Sequence, residues 1–79
     1  MFVELVYDKR NVAGLANAHE LIEKELIKRV NRTFPDADVR AKAMQANTIN
    51  SDASKSDKAI INRLIEEMFN EADEWLATD

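Results

Sequence analysis

The chain has 79 residues, 46% hydrophobic and 33% charged, and its 15 acids and 11 bases leave a formal charge of −4. That length gives one small domain, with roughly 4–12 kcal/mol of stability at about 0.05–0.15 kcal/mol per residue, and it excludes two domains or a deep active-site cleft. With no Cys and one His, thiol catalysis, disulfides, thiolate zinc sites and most His-based chemistry are excluded too.

The first element, Phe2 to Tyr7, alternates and is rich in β-branched and aromatic residues, the pattern of a strand. Val3, Leu5 and Tyr7 lie on one side, and Phe2, Glu4 and Val6 on the other. Asp8 to Asn11 reads as a polar loop. From about Ala13 to Thr33 the period changes to that of a helix. Leu15, Ala18, Ile22, Leu26 and Val30 form its core face, with Lys24, Lys28 and Arg32 opposite. Glu20–Lys24 and Glu25–Arg29 are favourable i,i+4 pairs. Asn11 and Asn17 are both candidate N-caps. Pro35 disfavours helical geometry at Phe34, so the helix stops there or just before.

Val39 to Met44 alternates again, with Val39, Ala41 and Ala43 inward and Arg40, Lys42 and Met44 outward. Thr48-Ile49 is a candidate third strand. Ser54 and Asp57 have capping-box spacing. After them Ile61, Leu64, Ile65, Met68, Ala72, Trp75 and Leu76 make a helical stripe, so the last helix is expected from Lys55 to about Ala77.

The order β-α-β-α, with one apolar face per strand and one stripe per helix, implies an α+β fold of two layers. Two helices pack on one face of a small two- to three-stranded sheet. The strand-helix-strand unit favours a parallel pair. On the open face Glu4 is expected to meet Arg40 or Lys42, and Phe2, Val6 and Met44 to form a small apolar patch.

Charge is distributed unevenly. Residues 1–63 carry a balance of +2, whereas residues 64–79 hold Glu66, Glu67, Glu71, Asp73, Glu74 and Asp79 with no base, a balance of −6. On a continuous helix these acids lie away from the apolar stripe, about one per 3–4 Å of axis. That is close to the charge spacing of one strand of B-form DNA, about 3.4 Å. A helix C-terminus favours cations, and like charges at i,i+4 oppose helix formation. The acids are therefore placed against local stability, a mark of function. Their sign excludes direct nucleic-acid binding by this face and suits a basic partner groove.

No other constellation carries chemistry. The acids diverge along a helix and lack a calcium-loop pattern, so no metal site is expected. His19 reads as a half-buried packing residue and Trp75 as an anchor of the last turn. Ser54 and Ser56 are accounted for by capping. Gly14 is the only glycine, so there is no phosphate-binding glycine loop. The basic residues of 24–42 lack stacking aromatics. No stretch is long and apolar enough to span a membrane, and Met1 to Tyr7 lacks signal-peptide features. A cytoplasmic location is expected.

Several stretches resemble the DinI family of small bacterial proteins, including its MsgA-like, virulence-associated and prophage-borne branch. They are the first strand with Glu4 at its centre, the helix closing on Phe34-Pro35-Asp36, and Lys55-Ser56-Asp57-Lys58. Ile61, Glu67 and Ala72-Asp73-Glu74-Trp75 complete the set. The resemblance covers nearly the whole chain and implies a single domain over residues 1–79 with the same two-layer fold. It implies a non-enzymatic role in the SOS response to DNA damage, with no cofactor. The implied partner is RecA or its filament on DNA, whose co-protease action such proteins restrain. The contact implied is the acidic last helix, imitating a DNA strand. Glu67, Asp73 and Glu74 match the family's acidic places, and Glu66 and Glu71 add charge. The MsgA-like branch implies a role in virulence. The chain is expected to be a monomer.

Overall fold

The computed structural model describes residues 1–15 and 17–76. Three strands, β1 (Phe2–Asp8), β2 (Asp38–Met44) and β3 (Thr48–Ser51), form one sheet in the order β2-β1-β3. β1 runs parallel to β2, with Phe2 opposite Asp38 and Asp8 opposite Met44. It runs antiparallel to β3, with Val3 opposite Ser51 and Val6 opposite Thr48. The sheet is therefore mixed, and the candidate strand at Thr48-Ile49 is a real one.

Two main helices, α1 (Ala18–Thr33) and α2 (Lys55–Asn70), are followed by a single-turn helix α3 (Ala72–Trp75). Val3, Leu5 and Tyr7 of β1 and Val39 and Ala41 of β2 share one core with Ile22, Leu26 and Val30 of α1. Ile61, Ile65 and Met68 of α2 complete it. Both helices therefore cover the same sheet face, the α+β two-layer arrangement that periodicity implies. The anchors Val3, Ile22, Val30, Ile61 and Met68 have no exposure. Each is worth about 1.5–3 kcal/mol of transfer free energy.

The ends of the elements have local causes. The Ser54 Oγ accepts from the Asp57 N–H at 3.2 Å and caps α2. The Phe34 N–H donates to the Val30 carbonyl at 2.7 Å and closes α1 ahead of Pro35. At the other end α1 begins later than its apolar pattern suggests. Asn17 sits in the left-handed region at φ 61°, and its side chain makes no capping bond. Left-handed backbone is a conformation that Asn tolerates better than most residues, and here it separates α1 from the preceding turns. Lys9–Val12 form a 3₁₀ turn instead, capped by the Asp8 carboxylate, which accepts from the Arg10 N–H. Leu15, assigned to the helix face by its spacing, is exposed.

The open sheet face also differs from expectation. Val6 is only 5% exposed, because it sits on the central strand with Lys42 and Thr48 beside it. Phe2 and Met44 are exposed, but they lie at opposite ends of the β1–β2 ladder. Six residues at about 3.3 Å each separate them, so Phe2, Val6 and Met44 do not make a contiguous patch. Glu4 accepts from the Asn50 side chain at 3.0 Å rather than pairing with Arg40 or Lys42. Arg40 instead lies 3.8 Å from Asp38 on its own strand. Ala43, expected inward, is exposed near the end of β2. No helix among the described residues is long and apolar enough to cross a membrane.

Candidate functional site: a bent acidic helix

The apolar stripe that carries the last helix along the core continues past Asn70, yet the helix does not run straight through. Glu71 has φ −102° and ψ 16°, outside helical geometry, and serves as both the end of α2 and the start of α3. Its N–H is shared between the carbonyls of Glu67 at 3.1 Å and Met68 at 3.3 Å, a tightened last turn. The Glu74 N–H then donates to the Glu71 carbonyl at 2.9 Å, and the Leu76 N–H to that of Ala72 at 2.8 Å. The five candidate acids are thus split between two arms. Glu66 and Glu67 stand on the last turns of α2, and Asp73 and Glu74 on α3, with Glu71 at the elbow. All five are exposed. The expected helix end at Ala77, and the sixth acid, Asp79, lie outside the described residues.

Two contacts hold the elbow. The first is the Trp75 indole, whose Nε1–H donates to the Met68 carbonyl at 2.7 Å. The half-buried ring packs against the core and lies 6.2 Å from the Phe69 ring. Trp75 thereby folds α3 back onto the end of α2, a more specific task than anchoring by bulk. The second contact is Arg29 of α1. Its Nε donates to Glu25 at 2.6 Å and its terminal Nη2 to Glu71 at 2.7 Å. The Glu25 bond is the i,i+4 pair legible in the sequence; the Glu71 bond is not. Hydrogen bonding to Glu25, then to Glu71, raises the Arg29 pKa above its usual value against the opposing effect of burial.

The bend revises the electrostatic argument drawn from a straight helix. Glu71 is paired with Arg29, whose charge it shares with Glu25. Asp73 and Glu74 stand on the single turn of α3, past the negative end of α2. Only Glu66 and Glu67 stay at the negative end of a helix with no base in its last turn. Among the described residues Glu66, Glu67, Asp73 and Glu74 form no ion pair, so four carboxylates remain available to a partner.

A second polar cluster was not legible in the sequence. The Tyr7 hydroxyl lies 2.8 Å from His19 Nδ1, with the two rings stacked at 6.0 Å. His19 Nε2 is 3.9 Å from Glu23, and the same Glu23 oxygen accepts from the Ala41 N–H at 3.0 Å. Because β2 is an edge strand, Glu23 satisfies a backbone donor that the sheet leaves unpaired. Burial, then the nearby Glu23 charge, raises the Tyr7 pKa. His19 is half exposed and fastens α1 to β1. Ser54 is a helix cap, 35 residues along the chain from His19. Among the described residues no three His, Asp or Glu side chains gather where they could hold a metal ion.

The architecture defines a class, small two-layer α+β proteins that present carboxylates on a bent last helix. The profile of the DinI-like family matches residues 16–76, and the chain belongs to that family. It is 60% identical over 79 residues to the virulence protein MsgA of Salmonella typhimurium (strain LT2), with both chains covered completely. The virulence protein MsgA of Salmonella typhi matches equally, at 60% over the full length of both. DNA damage-inducible protein I of Serratia marcescens is 38% identical over 80 residues, again with both chains covered completely.

Proposed function

We propose that this protein is a non-enzymatic regulator of the DNA-damage response. It acts in the cytoplasm by presenting its acidic elbow to a basic groove of RecA in the manner of a DNA strand. The observation that carries the reading is the set of exposed carboxylates Glu66, Glu67, Asp73 and Glu74 with no ion-pair partner among the described residues. Membership of the DinI-like family and likeness to a DNA damage-inducible protein support it. Such attraction is screened over about 8 Å at physiological salt, so binding weakens as salt rises.

The test is RecA-stimulated cleavage of a co-protease substrate on single-stranded DNA, with and without this protein. Replacing Glu67, Asp73 and Glu74 by Lys turns −3 into +3 and should abolish the effect on cleavage. Undiminished action by the folded triple variant would sink the mechanism. A second reading has its own support in the 60% identity to the virulence protein MsgA. There the same elbow serves a different basic partner in a virulence pathway, and wild-type protein leaves RecA cleavage unaltered.

A further inference from the structure

The elbow at Glu71 is held by one local contact and one distant one. No Gly or Pro lies in α2, α3 or between them, and kinks in the absence of these need an inserted contact. The Trp75 indole inserts at the Met68 carbonyl, and Arg29 of α1 adds a tie to the carboxylate of Glu71 itself. Arg29 is the only described base paired with any of the five candidate acids. Its side chain is 18% exposed and that of its brace, Glu25, 13%. A guanidinium presents separate donors in a fixed plane, and here one donor holds Glu25 while another holds Glu71. The Glu25 bond braces the guanidinium from within α1. An incoming basic partner must compete with this braced arginine for Glu71, whereas it meets no such competitor at Glu66, Glu67, Asp73 or Glu74.

We propose that Arg29 is a positioning residue for the acidic surface. By latching Glu71 to α1 it sets the angle between α2 and α3, so that the two carboxylate pairs reach one basic partner together. Glu71 belongs to the latch and not to the partner. This inference rests on the reading of the acidic surface given above, and it makes a prediction opposite in sign to that of bulk charge. Removing Arg29 makes the protein more negative and liberates two carboxylates, Glu25 and Glu71, which by charge alone strengthens binding to a basic groove. Losing the latch lets the two arms vary in angle, which weakens it.

The experiment measures the affinity of full-length protein for RecA filaments on single-stranded DNA across a salt series, comparing Arg29→Gln with Lys28→Gln. Lys28 is an exposed neighbour on α1 outside the latch, so both variants carry the same net charge. Arg29→Gln is expected to bind at least about fivefold more weakly than wild type with a shallower salt dependence. Lys28→Gln is expected to bind as wild type does or more tightly. Arg29→Lys keeps the charge but cannot bridge both carboxylates in one plane, and should lose about two- to threefold. It provides the comparison if Arg29→Gln does not fold, as judged by circular dichroism. Wild-type binding with Arg29→Gln matching Lys28→Gln, or with Arg29→Lys matching wild type, would overturn the latch. Absence of wild-type binding would instead overturn the RecA reading and, with it, the orienting role assigned to Arg29.

Discussion

Replacing Trp75 by Phe tests whether a single hydrogen bond holds the acidic arm against the body. Phe keeps most of the ring contact and removes the indole N–H that reaches the Met68 carbonyl at 2.7 Å. A hydrogen bond of this kind contributes about 1 kcal/mol. No orphan penalty is added, because the Met68 carbonyl keeps the Glu71 N–H at 3.3 Å. The smaller ring removes roughly one further CH₂ of burial from a half-buried site, about 0.8 kcal/mol. The sum is about 2 kcal/mol, and it falls on α3, the element that Trp75 secures. At 1.4 kcal/mol per decade, local opening becomes about 25-fold more frequent. Amide exchange followed by NMR reads this at Leu76, whose N–H donates to the Ala72 carbonyl at 2.8 Å. The Leu76 amide should exchange about 25-fold faster, while that of Val30 in the middle of the core changes far less. Wild-type exchange at Leu76 in the variant would refute the idea that the indole bond holds α3 in place.

Other substitutions test other parts of the fold. Ile61 is fully buried and Ile60 is 42% exposed. Ile61→Ala should cost about 2–5 kcal/mol and lower Tm by at least about 8 °C, whereas Ile60→Ala should stay within about 0.5 kcal/mol; thermal melts of the two make the comparison. Glu23→Ala should speed amide exchange at Ala41, and Glu23→Gln should preserve protection, since an amide oxygen still accepts from the edge-strand N–H. Hydrogen bonding from the Arg10 side chain holds the Asp8 carboxyl at a pKa of about 2, below the ordinary 3.8. A carboxylate shifted downward on folding stabilises the folded state fully above its unfolded value, and that contribution disappears as pH falls through the folded one. The Asp8–Arg10 turn should therefore persist through pH 4 and be lost toward pH 2, and an NMR titration of Asp8 in Arg10→Gln should return toward 3.8.

Legibility in the sequence followed the range of the cause. The β1 strand, the core positions Ile22 to Val30 of α1 and Ile61 to Met68 of α2, the stop at Phe34-Pro35 and the Ser54 cap are each decided within a few residues, and each is present. The elbow was invisible because Met68, Ala72, Trp75 and Leu76 keep helical spacing across it. The break is held by the Trp75 indole on the Met68 carbonyl and by Arg29, 42 positions before Glu71 in the chain. Leu15 extended the α1 pattern by one more step, but nothing in hydrophobic spacing reports the left-handed backbone at Asn17. Val6 pointed to the open face as alternation required, yet its burial depends on the neighbours supplied by two other strands. Glu4 took its partner from β3 instead of β2 for the same reason. Of the five candidate acids, the exposure was legible. Their division into two arms, and the withdrawal of Glu71 into an ion pair, were not. The Tyr7–His19–Glu23 cluster joins a strand to a helix across twelve residues and leaves no periodic trace.

The mixed sheet has a consequence for how the chain is made. β1 precedes both of its neighbours in the chain and is also the central strand, flanked on one side by Asp38–Met44 and on the other by Thr48–Ser51. At roughly 5–20 residues per second, several seconds of translation pass before its second neighbour exists. During that interval Val3, Leu5 and Val6 form an apolar strand with an open edge, the state from which chains misassociate. α2, whose Ile61, Ile65 and Met68 complete the core, follows all three strands in the chain. The order of synthesis therefore puts closure of the core late, because the inner face of β1 is fully covered only once α2 has been made.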